Sequence, residues 1–125
     1  MQKIEIIEEE SNIYGFITSL DEESAFDYLN IFFSDEQIVE LKSWLTNKKI
    51  YEFAVLRNIY VDEDNRGHGV GKFLVAQFAS QTKGLPILLL ASPDEDNFLL
   101  DQWYLKLGFE MSSFSCSDGP LMIKI

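Results

Sequence analysis

Runs of apolar residues divide the second half of the chain into alternating strands and helices. Lys49 to Val61 carries enough apolar and β-branched residues for one long strand. Leu85 to Ala91 is a continuous apolar run, typical of a strand buried on both faces of a partly parallel sheet. Between them we predict a helix, ended by Gly84 as a C-cap, whose apolar face is made of Val70, Phe73, Leu74, Phe78 and Ala79.

The chain beyond residue 91 predicts one more helix and two closing strands. The helix covers residues 98–106, is ended by Gly108, and gives the core Leu99, Leu100, Trp103 and Leu107. The closing strands are residues 109–111 and 121–125, joined by a Ser- and Gly-rich loop at 112–119. Because strands and helices alternate from residue 50 onward, we expect a right-handed crossover and an α/β sandwich.

The first half of the chain carries weaker signals. Residues 3–10 alternate loosely and predict an edge strand, and residues 16–18 predict a second strand after turns at Ser11-Asn12 and Gly15. Residues 21–33 have apolar positions at helical spacing. A capping box at Ser34 to Gln37 predicts the start of a second helix, whose core face is Ile38, Leu41 and Leu45, extended by Trp44. Since no linker or repeat interrupts the chain, we expect one domain over residues 1–125.

Three glycines at alternate positions, Gly67, Gly69 and Gly71, separate the long strand from the following helix. Glycine lets another molecule approach the backbone, and the first turn of a helix presents unpaired N–H groups at its positive end. This order predicts a phosphate cradle, to which Arg66 and Lys72 add positive charge. Two phosphate-binding patterns do not fit: a Walker A loop needs Ser or Thr at position 73, and a dinucleotide fingerprint needs glycine at position 72.

The hexapeptide Arg66-Gly67-His68-Gly69-Val70-Gly71 fits the pattern Arg/Gln-x-x-Gly-x-Gly/Ala, and it resembles the acyl-CoA pyrophosphate loop of the GNAT superfamily of N-acetyltransferases. A second match follows downstream, where the family signature Asn…Tyr-x-Lys-x-Gly-Phe is met by Asn97, Tyr104, Lys106, Gly108 and Phe109. The resemblance covers about residues 50 to 111. It implies an α/β fold with a GNAT-like mixed, largely antiparallel sheet, helices on both faces and an abbreviated N-terminal part.

The N-terminal part departs from the family pattern. The family's fold usually carries a strand hairpin between its N-terminal helices and the strand before the glycine loop. Here only one strand, Lys49 to Val61, fits in that place. Either the hairpin is missing, or residues 1–20 supply strands in another order, and the acceptor side of the site depends on which alternative holds.

The resemblance implies acetyl-CoA as the acyl-donor substrate and assigns the residues that hold it. Backbone groups of Ile59, Tyr60 and Val61 pair with the pantetheine arm. The pyrophosphate is held by Arg66, Gly67, His68, Gly69, Val70, Gly71 and Lys72. Asn97 hydrogen-bonds the arm or is simply the N-cap of its helix, and His68 is a solvent-facing spacer rather than a base.

Tyr104 is the candidate general acid, since a phenol with a pKa near 10 stays protonated at neutral pH and can protonate the leaving thiolate. Its other interpretation is a half-buried helix aromatic. The attacking amine must be neutral, and Glu52 on the long strand is the first choice of general base, with alternatives in Glu22, Glu23 and Asp94. Cys116 as an acyl-enzyme nucleophile is a further alternative.

Composition narrows the partners. The chain has 125 residues and a formal net charge of −11, which argues against nucleic acid and is compatible with a cationic amine substrate or with simple solubility. We expect no zinc or other metal, because no Cys/His cluster has the ligand spacing. A lone cysteine and the lack of a signal peptide or membrane span predict a cytoplasmic protein. An exposed edge near the C-terminal strand would permit a homodimer.

The function expected from this resemblance is transfer of an acetyl group from acetyl-CoA to a primary amine of a small molecule or peptide. The amine would attack directly in a ternary complex. An alternative is a catalytically silent CoA-binding or regulatory module with the same fold, and a third is a plain interaction domain with an acidic surface.

Overall fold

The computed structural model describes residues 1–92 and 100–125, which build a mixed sheet with helices on both faces. The strands are β1 (Gln2–Glu8), β2 (Ser11–Ser19), β3 (Glu52–Tyr60), β4 (Ile87–Leu90), β5 (Glu110–Cys116) and β6 (Gly119–Lys124). The α-helices are α1 (Asp35–Asn47), α2 (Val70–Gln81) and α3 (Leu100–Lys106), and short 3₁₀ turns cover Glu23–Phe26, Leu29–Ile31 and Glu63–Asn65. None of these helices is both long and apolar enough to cross a membrane.

The strand order is β1-β2-β3-β4-β6-β5, and every neighbouring pair is antiparallel except β3 with β4. One apolar cluster lies between the sheet and α1 with the first two 3₁₀ turns, and a second lies between the sheet and α2 with α3. Alternate residues of β3 enter the two clusters, Phe53 and Val55 the first and Ala54 and Leu56 the second. The predicted fold class is therefore confirmed.

Residues 2–19 form an N-terminal hairpin, so the alternative in which the first 20 residues supply strands is the right one. β1 is an edge strand paired with β2, and β2 pairs in turn with β3. The turn lies at Glu9 and Glu10, which both have positive φ, of 46° and 65°. Ser11, Asn12 and Gly15, which we expected in turns, lie within β2.

Two segments differ from the expectation. Residues 21–33 form two 3₁₀ turns instead of one helix, although Ala25, Phe26, Leu29 and Phe33 are buried as expected. Residues 112–119 are mostly strand, because β5 runs to Cys116. The Ser112 hydroxyl explains this: it donates to the Leu121 carbonyl at 2.6 Å and accepts from the Phe114 N–H at 3.1 Å, where the ladder is irregular. Serine there supports an irregular strand rather than a loop.

The start of α1 follows the prediction. Ser34 accepts from the Gln37 N–H, and the Gln37 side chain accepts from the Ser34 N–H, which is the reciprocal capping box. Ile38, Leu41 and Leu45 are buried. Trp44 is half-buried against Phe114, with ring centroids 6.3 Å apart, so its role is core packing.

Gly15 lets Phe78 of α2 pack directly against the backbone of β2. A Cβ atom at this position would lie 2.2 Å from the Val55 carbonyl oxygen and 2.6 Å from the Phe78 ring. We expect Gly15→Ala to lower the free energy of unfolding by about 2–3 kcal/mol, since the strand or Phe78 must shift. Chemical denaturation measures this. Gly84→Ala is the control, because no atom of residues 1–92 or 100–125 lies within 4 Å of a Cβ there and only the φ of +82° opposes a side chain, at a cost of about 1 kcal/mol. Equal losses for the two variants would contradict the steric account.

Candidate active site

A cleft opens where β3 and β4 part. The two strands pair in parallel only between Ala54–Leu56 and Ile87–Leu89. β3 stays paired with β2 as far as Tyr60, so the far edge of its last residues faces no strand within residues 1–92 and 100–125. The opening has a volume of about 690 Å³ and reaches from β3 to the glycine loop and α3.

A β-bulge at Arg57 sets the direction of the side chains along the cleft. Opposite β3, Tyr14 pairs with Asn58 and the next residue, Gly15, pairs with Leu56, so Arg57 has no partner of its own. Leu56 and Ile59 both pack in the cluster under α2, although residues three apart face opposite sides of a regular strand. The extra residue therefore turns Ile59 toward α2.

The glycine loop ends in a helix start of the expected kind. Gly67 and Gly69 have φ of +81° and +82°, and Gly69 is the N-cap of α2. The first helical hydrogen bond runs from the Phe73 N–H to the Gly69 carbonyl at 2.9 Å. The N–H groups of residues 70–72 precede it and have no intrahelical acceptor, so they are available to bind an anion at the positive end of the helix dipole.

Side chains and backbone outside the loop fix its position. The Asp62 N–H donates to the buried Ser11 hydroxyl at 2.8 Å, and the Asn65 side-chain amide donates to the Glu9 carbonyl at 2.8 Å. Arg66 donates through Nε to the Val61 carbonyl at 3.1 Å. The loop is thus tied both to the N-terminal hairpin and to the end of β3.

Gly71 lets α2, α3 and the end of β3 meet. It is buried, and a Cβ atom there would lie 3.1 Å from the Trp103 ring and 3.2 Å from a Val61 methyl group. A larger residue would push Trp103 and the start of α2 apart. The third glycine of the motif is therefore a packing requirement as well as part of the cleft wall.

Tyr104 projects from α3 into the cleft wall. It is 3% exposed and packs edge-on against Trp103 and Phe109, with ring centroids 5.0 and 5.5 Å away. Burial raises the pKa of its phenol above the usual value of 10, and the nearby Tyr28 raises it further. The phenol therefore stays protonated at every ordinary pH.

Most of the candidate residues come together. The cleft is lined by Ile59, Tyr60, Val61, Arg66, Gly67, Gly69, Val70, Gly71, Lys72 and Tyr104. His68 is exposed and is not a lining residue. Asn97 lies outside the described residues.

The candidates for the base and for a nucleophile fare worse. Glu52 is exposed at the start of β3, about 13 Å of strand before Leu56, the first lining residue of β3. Its position does not support a general-base role, because it stands at the opposite end of the strand from the opening. Glu22, Glu23 and Cys116 do not line the cleft either, and Asp94 is outside the described residues. Residues 1–92 and 100–125 contain no group of three or more His, Cys, Asp or Glu side chains that could hold a metal ion.

Several lining residues were missed by sequence reasoning: Tyr28, Phe32, Arg57, Asn58, Leu90, Ser92, Leu100 and Trp103. Arg57 and Asn58 carried a usable signal, since two successive polar residues inside an apolar strand break both periodicities and mark a bulge. Tyr28 and Phe32 carried none, because their spacing is that of ordinary core aromatics.

The charge of the cleft is opposite to that of the chain. The whole sequence has a net charge of −11, whereas the lining residues that the structure describes include three basic side chains, Arg57, Arg66 and Lys72, and no acidic one. The described part of the cleft is therefore a local site for anions on an acidic protein.

The model of the GNAT acetyltransferase domain matches residues 3–111. The chain belongs to the GNAT acetyltransferase family. The match extends well beyond residues 50–111, so the N-terminal hairpin and α1 are part of this GNAT domain. A comparison with curated protein sequences found no match.

Solved structures resemble this GNAT chain in fold. The PaiA N-acetyltransferase of Thermoplasma acidophilum, in complex with coenzyme A, gives a TM-score of 0.56 at 15% identity. The match covers 98% of this chain and 58% of that one, so this chain is much shorter than that relative. Arylalkylamine N-acetyltransferase 2 of Aedes aegypti gives 0.56 at 18% identity, covering 98% and 72%. The anti-CRISPR protein AcrVA5 gives 0.56 at 17% identity, and each chain is covered completely.

Proposed function

We propose that this protein is an N-acetyltransferase that moves the acetyl group of acetyl-CoA to a primary amine of a small molecule or peptide, within a single domain over residues 1–125. The observation that carries the proposal is the single cleft that joins the glycine loop, the open edge of β3 and Tyr104. Family membership and the coenzyme A bound to a solved structure of the same fold support it.

The residues of the cleft fit acetyl-CoA from its phosphate end. The first-turn amides of α2, with Arg66 and Lys72, would hold the pyrophosphate. The open edge of β3 at Ile59, Tyr60 and Val61 would pair with the pantetheine arm as an added strand does. Asn97 would bind the same arm, by the resemblance alone.

When bound, acetyl-CoA supplies a thioester whose acetyl group passes to the amine while a thiol leaves. Tyr104 would hold a proton at its phenolic oxygen and donate it to the departing sulfur. Since the described lining residues include no Asp, Glu or His, we propose that water carries the amine proton away.

The lack of Asp, Glu and His among the described lining residues also favours a second candidate, a catalytically silent CoA-binding module of the same fold. A module that only binds the cofactor needs the phosphate loop and the open edge of β3, and it needs no base. The position of Glu52 outside the cleft is the specific observation in its favour.

Acetyl-CoA binding tests both candidates, and turnover separates them. At 100 times its Kd, acetyl-CoA should stabilise the fold by about 2.7 kcal/mol, which raises Tm by roughly 10 °C. Differential scanning fluorimetry measures this, with adenosine monophosphate as the control that lacks the arm. Folded protein that gains no stability would contradict both. Binding without thiol release over a broad amine panel would leave the silent module.

We also propose the cytoplasm as the compartment and a homodimer as the assembly. The single cysteine suits a reducing environment. β5 is the C-terminal edge strand, and Met111 on it is 49% exposed, which suits pairing with a second copy. Sedimentation equilibrium at several concentrations tests the assembly, and a concentration-independent monomer would contradict it.

A further inference from the structure

The end of the cleft farthest from the phosphate loop has a cation of its own. Arg57 lies four residues before Val61, about 13 Å along an extended strand, and its side chain is exposed in the cleft wall. Arg66 and Lys72 stand at the opposite end, where the proposed function gives them the pyrophosphate. Arg57 is therefore the cation that a bound donor would leave available.

Two aromatic rings hold the Arg57 guanidinium in place. Its central carbon lies 5.1 Å from the centroid of the Tyr28 ring and 5.9 Å from that of the Tyr14 ring. The Tyr28 hydroxyl also donates to the Arg57 carbonyl at 3.3 Å, which fixes the bulge itself. A guanidinium held beside aromatic rings keeps a planar fork of N–H donors, which can bind a planar carboxylate with two hydrogen bonds.

The same rings bring Arg57 close to the reacting end. Tyr28 lines the cleft and lies near enough to Tyr104 to affect the pKa of its phenol. Phe32 packs edge-on against Tyr28, with ring centroids 5.4 Å apart, and it also lines the cleft. The space beside Tyr104 thus has an apolar aromatic wall with one cation at its edge.

We propose that this space is the acceptor subsite and that Arg57 binds a carboxylate of the acceptor, so that the substrate is an amino carboxylate such as an amino acid. This inference rests on the acetyl transfer proposed above and names its substrate class. It reverses the expectation from composition, since a cationic amine suited the overall charge of −11 while Arg57 repels one. The β-bulge places this positive charge, because the extra residue in β3 is Arg57 itself.

Paired acceptors that differ only by the anion test this proposal. The pairs are phenylalanine with 2-phenylethylamine and β-alanine with ethylamine, followed by thiol release at saturating acetyl-CoA. Phosphoethanolamine with ethanolamine is the phosphate arm, and spermidine is the polycation. We expect the carboxylate member of each pair to have a kcat/KM at least tenfold higher, about the value of one charge-assisted hydrogen bond.

Arg57→Ala should remove that preference. The KM of the carboxylate acceptors should rise about tenfold or more while their kcat stays within about twofold of wild type, and the KM of the amines that lack a carboxylate should not rise, because a charge that repels them is gone. Arg57→Lys should keep part of the preference, since it retains the charge and loses the planar fork. Lys3→Ala is the matched control, because it removes one positive charge from the exposed edge strand outside the cleft.

Several results would overturn the inference. They are equal rates for both members of each pair, faster acetylation of spermidine or of phosphoethanolamine, and an Arg57→Ala variant that loses activity equally with all acceptors, as a purely structural role predicts. Where no amine is turned over, calorimetry with CoA-loaded protein replaces kinetics. N-acetylphenylalanine must then bind more tightly than N-acetyl-2-phenylethylamine, and equal affinities refute the subsite. Failure to bind acetyl-CoA refutes the proposed function itself, so the two failures are distinct.

Discussion

Replacing Tyr104 with phenylalanine should lower kcat about 100-fold or more while acetyl-CoA still binds within about twofold of its wild-type affinity. A positioned general acid contributes roughly this much to a rate. The substitution removes one oxygen atom and keeps the ring that packs against Trp103 and Phe109, so the fold should persist. Steady-state thiol release gives kcat, and titration calorimetry gives the affinity for acetyl-CoA.

Tyr51→Phe is the matched control, since it deletes the same hydroxyl from an exposed tyrosine outside the cleft. Full turnover by the Tyr104 variant would place the acid elsewhere. The pH profile gives a second check. Because burial raises the pKa of the Tyr104 phenol, the phenol keeps its proton as pH rises, and kcat should show no alkaline decline below about pH 10. The decline should lie on the acidic side, where the acceptor amine is protonated.

Arg66→Glu should weaken acetyl-CoA binding by about 100-fold or more. The substitution removes charge-assisted hydrogen bonds to a diphosphate, each of which contributes about 1.5–3 kcal/mol to binding. It also introduces a carboxylate that repels the diphosphate. It also removes the bond from Nε to the Val61 carbonyl, which ties the loop to the strand along which the arm would lie. Titration calorimetry with acetyl-CoA measures the effect, and Arg66→Gln should fall between the variant and wild type.

Lys3→Glu makes the same change in charge on the outer edge of the sheet and serves as the control. Because the chain is already acidic, this control separates a local effect from a general increase in negative charge. An Arg66→Glu variant that binds acetyl-CoA within about threefold of wild type would show that the loop does not contact the diphosphate.

The sequence predicted the fold from β3 to α3 well because each signal there was local, whereas the expected loop at 112–119 is mostly strand. The apolar run before Leu90, the helix spacing after Gly69 and the alternating glycines all depend on residues close together in the chain. The site residues found this way are those of the glycine loop, the end of β3 and Tyr104. They were found by motif, and a motif is also local.

The rest of the site depends on contacts between distant segments. Tyr28 and Phe32 reach the cleft only because residues 23–31 fold as two short turns over the sheet. The apolar residues of this segment have the spacing of a single helix, so the sequence predicted a helix over 21–33. That prediction was wrong. The position of Glu52 outside the cleft has a related cause. The sequence correctly predicted that Glu52 lies on β3. The point at which β4 separates from β3, which decides which residues of β3 face the cleft, is set by the length of β4.

The contacts of Asn65 with Glu9 and of Asp62 with Ser11 give the hairpin turn an influence at a distance. The first dozen residues do not line the cleft, yet these two hydrogen bonds hold the segment that leads into the amides proposed to bind the diphosphate. Substitutions that loosen the Glu9-Glu10 turn should therefore act as affinity regulators, raising the entropic cost of cofactor capture without altering a contact group. The affinity for acetyl-CoA can thus vary through substitutions in the N-terminal hairpin turn.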